Sequence, residues 1–309
     1  LLTAPAAAVP AALAAPSAPT YVGKVRWAYY VPYAGDSLES LKQNIRTLTH
    51  VSPYWYQING QGELVGGETK TNAAERGTVI DLARRNGVKV LPMVKNNDQY
   101  EAFTPALADA ATRAKAVEGI VRMVVDGNFE GVNIDFEGIS ADDRPMLTQF
   151  MADLAPQLRA KGKIVSQAVA AKDRERTTGW AGAYDYAGLA PHNDFVVIMT
   201  YGYGTGVPQS TAPFPWVTNS TAYAISQIPR EKVVLGLAWY GYEWNLTAGG
   251  VRSLRYPDAV ELAKRFNAEV QYDGASQTSK FSYVNNGEKF EVWYEDARAN
   301  DAKMDLVYT

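Results

Sequence analysis

The stretch FEGVNIDFEGIS, residues 129–140, decides the fold because it alternates polar and apolar side chains. Its polar members Asn133, Asp135 and Glu137 occupy every second position. This is the two-residue period of a β-strand, so the three polar side chains share one face. An ordinary amphipathic strand would turn that face to water, and the surrounding sequence must decide whether this strand does so.

Short apolar segments alternate with segments of helical spacing from residue 24 onward. Seven segments predict strands: KVRWAYYVPY (24–33), HVSPYWYQI (50–58), VKVLPMV (88–94), the stretch quoted above, KIVSQAVAA (163–171), DFVVIMTYG (194–202) and KVVLGLAWYGY (232–242). Strands that alternate with helices pair in parallel through right-handed crossovers. The α/β pattern predicts a (β/α)8 TIM barrel over residues 21–309. A doubly wound sheet is the alternative, but no glycine-rich phosphate loop supports it.

Residues from about 244 to 293 break this alternation. One helical segment is followed by three strand-like segments, with NNGE at 285–288 as a hairpin turn. The sequence therefore predicts a small α+β insertion after the seventh strand. The chain then ends at Thr309 without an eighth strand. Since the strand number, tilt and shear of a barrel are linked, we expect the chain to be a fragment.

The first 20 residues, LLTAPAAAVPAALAAPSAPT, are rich in Ala and Pro. They predict the remnant of a secretory signal peptide and a linker, with a plain N-terminal arm as the alternative. We therefore expect a secreted or cell-wall-associated protein. No apolar run approaches the length of a membrane-spanning helix, so the sequence predicts no membrane span.

The composition excludes several classes of protein. A net charge of −3 offers no basic surface for nucleic acid. The absence of cysteine excludes disulfides and thiolate chemistry, and two histidines argue against a histidine-rich metal site. We expect no cofactor and no metal, so catalysis must depend on carboxylates, Tyr, Ser, Thr or Lys. The 19 Tyr and 7 Trp residues could pack in the core or stack on sugars.

In the fourth strand of a barrel, the polar face of the opening stretch would point into the barrel interior. Polar groups there are costly unless they bond to each other or to a ligand. Glu137 also lies at the carboxyl end of its strand, where TIM barrels keep their catalytic residues. A divalent cation on Asp135 and Glu137 is a weaker alternative, because no further oxygen-ligand pattern is visible.

The segment EGVNIDFEG resembles the signature of glycoside hydrolase family 18, whose fourth strand reads D-G-x-D-x-D-x-E. IMTYG (198–202) resembles the family's sixth-strand motif, and KVVLGLAWYGYEW and FEVWYEDA extend the match over nearly all of residues 24–300. The pairing of GVNIDFE with VWYEDA is most similar to the branch that includes bacterial spore cortex-lytic N-acetylglucosaminidases, and then to chitinases. The resemblance implies a bacterial hydrolase of β-1,4 bonds next to N-acetylglucosamine in peptidoglycan or chitin.

The resemblance also implies roles for individual residues. In this family the acetamido oxygen of the substrate is the nucleophile, which makes the reaction substrate-assisted and retaining. Glu137 would be the general acid and then the base for water. Asp135 would orient the acetamido group, and Tyr201 would donate a hydrogen bond to its carbonyl oxygen.

Further residues are expected to bind the polysaccharide. They are Asn133, Met199, Trp239, Tyr240 and Tyr29. Asn133 departs from the family pattern, which has Asp there. A catalytically weak, lectin-like sugar-binding protein is the alternative function, but the presence of Glu137 favours the enzyme. The sequence leaves open peptidoglycan versus chitin and endo versus exo cleavage, and we expect a monomer.

Overall fold

The computed structural model describes residues 24–32, 35–66, 73–96 and 100–308, so the predicted signal-peptide remnant and linker at 1–20 lie outside the described residues. The strands are β1 (Trp27–Tyr30), β2 (His50–Ile58), β3 (Leu64–Gly66), β4 (Lys89–Val90), β5 (Met93–Asn96), β6 (Gly131–Asp135), β7 (Ile164–Ala170), β8 (Phe195–Met199), β9 (Val233–Leu235), β10 (Tyr240–Asn245), β11 (Val251–Arg255), β12 (Gln271–Asp273), β13 (Thr278–Asn285) and β14 (Glu288–Tyr294). The α-helices are α1 (Ser37–Asn44), α2 (Ala73–Arg85), α3 (Tyr100–Ala108), α4 (Ala110–Asp126), α5 (Arg144–Arg159), α6 (Tyr186–Leu189), α7 (Phe214–Gln227), α8 (Tyr256–Arg265) and α9 (Ala297–Met304). Short 3-10 helices lie at Ile45–Thr47, Ala141–Asp143, Ala190–His192, Arg230–Lys232 and Asp305–Val307.

The barrel sheet follows the chain in strict sequence, in the order β1-β2-β5-β6-β7-β8-β9, and all of these neighbours pair in parallel. A doubly wound sheet would reverse direction at a switch point, so the sequential order confirms the predicted barrel fold. The sheet is curled, because Trp27 of β1 contacts Phe195 of β8 with ring centroids 5.9 Å apart although these strands are not neighbours.

The opening stretch lies as predicted, with its apolar side chains against the helical layer. Val132, Ile134 and Phe136 are fully buried. The Phe136 ring packs edge-on against Phe103 of α3 at 4.8 Å and Phe150 of α5 at 5.1 Å. Burying a side chain of this size contributes about 1.5–3 kcal/mol, so the apolar face anchors β6 and the polar face is left to the interior.

Two of the predicted strands are divided in the structure. Pro92, which has no N–H to donate, separates β4 from β5, and both of these strands pair with β2. The segment predicted as one strand at 232–242 splits at Gly236 into β9 of the barrel and β10 of a second sheet. The Gly236 N–H donates to the Ile198 carbonyl at 2.9 Å, and a Cβ on Gly236 would lie 2.5 Å from that oxygen. The prediction of a single strand was wrong because an apolar pattern does not reveal a change of partner strand.

The α+β insertion contains a five-stranded antiparallel sheet in the order β11-β10-β14-β13-β12. Its first strand begins at Tyr240, a few residues before the predicted boundary near 244. Helix α8 covers one face of the sheet and shares a small apolar core with it. The predicted hairpin turn joins β13 to β14 with positive φ at Asn286 (49°) and Gly287 (82°), which is the backbone of a type I′ turn.

Candidate active site

The polar face of β6 points into the barrel and is hydrogen-bonded there. Asn133 is fully buried, and its Nδ2 donates to Ser166 Oγ at 2.9 Å. Its Oδ1 accepts a hydrogen bond from the Tyr29 hydroxyl at 3.2 Å, which reaches across the interior from β1. The reading as a solvent-facing strand therefore fails. The polar face of this strand belongs to an internal network.

The two carboxylates lie at the carboxyl end of this strand. Asp135 is its last residue and is 6% exposed, and the Glu137 side chain two residues later is 27% exposed. Asn96, at the end of neighbouring β5, holds the Glu137 backbone from both sides. It donates to the Glu137 carbonyl and accepts from the Glu137 N–H, each at 2.8 Å. Glu137 therefore has a fixed main chain and an accessible carboxyl group.

Lys95 stands between the carboxylates and was not identified from the sequence. It is opposite Asp135 in the register of β5 and β6. Its Nζ lies 2.7 Å from Glu137 Oε1 and 3.8 Å from Asp135 Oδ2, and its side chain is 26% exposed. The available signal was a basic residue placed directly after the apolar run VKVLPMV, at the same edge of the sheet as Glu137.

The environment of Asp135 opposes its ionisation without preventing it near neutral pH. Burial raises the pKa of this carboxyl, the negative charge of Glu137 adds to the rise and the Lys95 ammonium opposes it, and the net result is a pKa of about 7. The Asp135 Oδ1 atom is buried and has no hydrogen-bond partner among the described residues. Such an acceptor is costly to leave unpaired, so it is available to a donor on a ligand.

Tyr201 lies two residues beyond β8, close to the carboxylates. Burial raises the pKa of its phenol above the usual range, and the charge of Asp135 adds to this rise. The hydroxyl therefore keeps its proton and can donate a hydrogen bond. Burial and the charge of Asp135 act in the same way on the pKa of Tyr29.

Aromatic side chains continue from Tyr201 onto the second sheet. The Tyr201 ring meets Tyr240 at 6.0 Å, Tyr240 meets Tyr242 at 5.7 Å, and Tyr242 meets Trp244 at 5.8 Å. Trp244 is fixed by a hydrogen bond from its Nε1 to the Thr205 carbonyl at 2.9 Å. The sequence analysis did not propose Trp244 as a site residue; it continues the alternation of Tyr240 and Tyr242 along β10 but is buried.

The structure brings most of the predicted site residues together: Tyr29, Asn133, Asp135, Glu137, Tyr201 and Tyr240. Met199 is half-buried at the end of β8, two residues before Tyr201. Trp239 is 52% exposed, and its ring contacts Tyr256 of α8 at 6.3 Å. Sugar binding by Met199 and Trp239 stays a prediction.

The described residues, 24–32, 35–66, 73–96 and 100–308, were also searched for metal-binding clusters and membrane-spanning helices. Within them, no group of three or more His, Asp or Glu side chains is arranged to hold a metal ion. No helix in this part of the chain is long and apolar enough to cross a bilayer.

Comparisons with known proteins identify the family of this chain. The model of the family "Glycosyl hydrolases family 18" matches residues 25–309. The cortical fragment-lytic enzyme of Bacillus subtilis (strain 168) is 31% identical over 297 residues, which cover 91% of this chain and 67% of that protein.

Solved structures show the same likeness. The spore cortex-lytic enzyme SleL of Bacillus cereus superposes with a TM-score of 0.82 at 25% identity, covering 92% of this chain and 68% of that chain. A chitinase from Chromobacterium violaceum ATCC 12472 superposes with a TM-score of 0.83 at 26% identity, covering 91% of this chain and 89% of that chain. The chain spans about two thirds of the length of the two lytic relatives. This chain belongs to glycosyl hydrolases family 18 and is a glycosidase.

Proposed function

We propose that this glycosidase cleaves β-1,4 bonds next to N-acetylglucosamine in the glycan strands of peptidoglycan, by substrate-assisted catalysis with retention of configuration. The observation that carries the proposal is the pairing of an accessible carboxyl, Glu137, with the buried Asp135, whose Oδ1 lacks a partner among the described residues. An acetamido N–H of the substrate is a donor that fits this acceptor.

The chemistry follows from these positions. Glu137 protonates the glycosidic oxygen while the acetamido carbonyl oxygen attacks the anomeric carbon, so the glycosidic bond breaks and a cyclic oxazolinium ion forms. Asp135 accepts from the acetamido N–H, and the Tyr201 hydroxyl donates to the acetamido oxygen. Glu137 then takes a proton from water, which attacks the anomeric carbon on the original face. Both displacements invert this carbon, so the product has the starting configuration.

The half-buried rings of Tyr240 and Tyr242 support a glycan ligand, because a partly exposed aromatic ring can stack on a sugar face, whereas Trp244 is 5% exposed and packs within the wall of the site. Two relatives are named as lytic enzymes of the spore cortex or its fragments, which supports a bacterial wall polymer as the substrate, in agreement with the expected signal peptide. Chitin is the second candidate, because a chitinase superposes equally well over nine tenths of this chain.

The test uses the Glu137→Gln variant. Purified protein is incubated with peptidoglycan glycan strands and, separately, with chitin oligomers, and the products are identified by mass spectrometry. Removing a general acid lowers the rate about 10²–10⁴-fold. Glu118→Gln is the matched control, since Glu118 lies exposed on α4 in a surface pair with Arg122. Proton NMR of the first-formed anomer tests retention.

Each outcome has a defined meaning. Cleavage of glycan strands that is lost in Glu137→Gln and kept in Glu118→Gln supports the proposal, and preferential loss of chitin oligomers selects the second candidate. Undiminished cleavage by Glu137→Gln, or an inverted product, contradicts the mechanism. Binding of both glycans without cleavage would indicate the lectin-like alternative.

A further inference from the structure

The ammonium of Lys95 is close to the proposed acid but has no part in the roles of Glu137, Asp135 and Tyr201. Its contacts differ from those of a surface ion pair. The pair of Lys115 with Glu63 has a similar distance of 2.9 Å, but both side chains are more than half exposed. Lys95 is instead enclosed by the barrel edge, and its Nζ lies 5.8 Å from the centre of the Tyr54 ring. Interactions between charges are stronger where water is excluded, so this lysine acts strongly on its neighbours.

We propose that Lys95 is a positioning residue of the active site, which holds the Glu137 carboxyl group in place and cancels one of the two negative charges that Asp135 and Glu137 bring together. This inference rests on the proposed function. It adds a residue that governs the charge state of the carboxylate pair, and hence the pH at which the pair can exchange a proton with substrate.

Among the described residues, the other titratable groups near Asp135 and Glu137 are tyrosines and supply no positive charge. Tyr29 faces the pair from β1 and Tyr201 from the segment that follows β8. Tyr54 of β2 lies beside Lys95, and Tyr240 contacts the Tyr201 ring. Burial raises the pKa of Tyr29, Tyr201 and Tyr240, so these phenols stay neutral at ordinary pH. In the described part of the chain, Lys95 therefore supplies the positive charge next to the two carboxylates.

The ammonium remains charged despite its enclosure. Burial lowers the pKa of Lys95, but the charges of Asp135 and Glu137 outweigh burial and raise it above the ordinary value. Lys95 in turn lowers the pKa of Asp135, against the larger opposite effects of burial and Glu137. Removing the cation stabilises the protonated form of Asp135, so its midpoint of titration must move to higher pH.

The direct test is a carboxyl-carbon NMR titration of the whole protein labelled with ¹³C in its Asp and Glu side chains. The Asp135 resonance is assigned by its loss in Asp135→Asn. We expect Lys95→Met to raise the Asp135 midpoint by about one pH unit, the low end of the effect of an opposite charge at this distance. Lys95→Arg keeps the charge and should stay near the wild-type midpoint, and Lys115→Met is the matched control with no shift.

Kinetics supply a second readout. The pH profile of kcat/KM should move upward in Lys95→Met and return toward the wild-type position in Lys95→Arg. Circular dichroism checks that each variant is folded, and Lys95→Gln replaces the Met variant if that one does not fold. A midpoint that is unchanged in both neutral variants overturns the inference.

The NMR titration does not require turnover, so it separates this inference from the proposed function. If the protein cleaves neither glycan but Lys95→Met shifts the Asp135 midpoint, the electrostatic role of Lys95 is supported and the proposed function is contradicted. If the protein cleaves glycan strands but Lys95→Met leaves the Asp135 midpoint unchanged, the proposed function is supported and the role of Lys95 is contradicted.

Discussion

Replacing Asn96 by Ala tests whether the position of Glu137 depends on its neighbour strand. Asn96 is 3% exposed, and both polar atoms of its side chain form hydrogen bonds of 2.8 Å with the Glu137 backbone. A hydrogen bond of this kind contributes about 1 kcal/mol net, so losing two should lower the free energy of unfolding by about 2 kcal/mol. The backbone after β6 is also held by the Tyr184 hydroxyl, which donates to the Phe136 carbonyl at 2.8 Å, so the fold should survive.

The effect on the reaction should exceed the effect on stability. A displacement of about 1 Å in a catalytic group can cost about 10²-fold in rate, so kcat in Asn96→Ala should fall by roughly that factor. Urea unfolding followed by circular dichroism gives the stability, and product release from glycan strands gives kcat. The control is Asn86→Ala at the exposed end of α2, where Asn86 donates to the Leu82 carbonyl and the cost should stay within about 0.5 kcal/mol. Equal stability and equal kcat in the two variants would refute the positioning of Glu137 by Asn96.

Two further predictions concern charge at the site. Asn133→Asp places a second buried carboxylate beside Asp135, which should raise the pKa of Asp135 and move the pH–rate profile upward; an unchanged profile contradicts this. Asp135→Asn should alter the pH dependence of stability. The folded-state pKa of Asp135, about 7, lies above its ordinary value of 3.8. Protonated Asp135 therefore contributes to the stability of the wild type in full below pH 3.8, and this contribution is lost as the pH rises from 3.8 to about 7. The variant should therefore gain stability relative to wild type across this interval, as measured by urea unfolding at several pH values, and a constant difference would show that Asp135 titrates normally.

Much of the barrel was predictable because its signals are local. The alternation along residues 129–140 and the helical spacing around it depend only on neighbouring residues, and the structure confirms the strand, its buried apolar face and its interior polar face. The NNGE turn was predictable for the same reason, since Asn286 and Gly287 tolerate positive φ. Glu137 was predicted as a site residue because it follows the carboxyl end of a strand, and the structure places it there, two residues after β6 ends.

Lys95 and the break at Gly236 were decided only by the tertiary structure. Lys95 is 42 residues from Glu137 in the chain, and only the parallel register of β5 and β6 places its ammonium 2.7 Å from that carboxylate. The chain leaves the barrel sheet at Gly236, where the Ile198 carbonyl lies too close for a side chain. That contact exists only once β8 and β9 are paired. The sequence determined where the main barrel strands lie and, for β6, which face is polar, because those properties follow from the chain's own periodicity. The partners of these side chains, and hence the charge on the carboxylate pair, follow from contacts between segments that are distant along the chain.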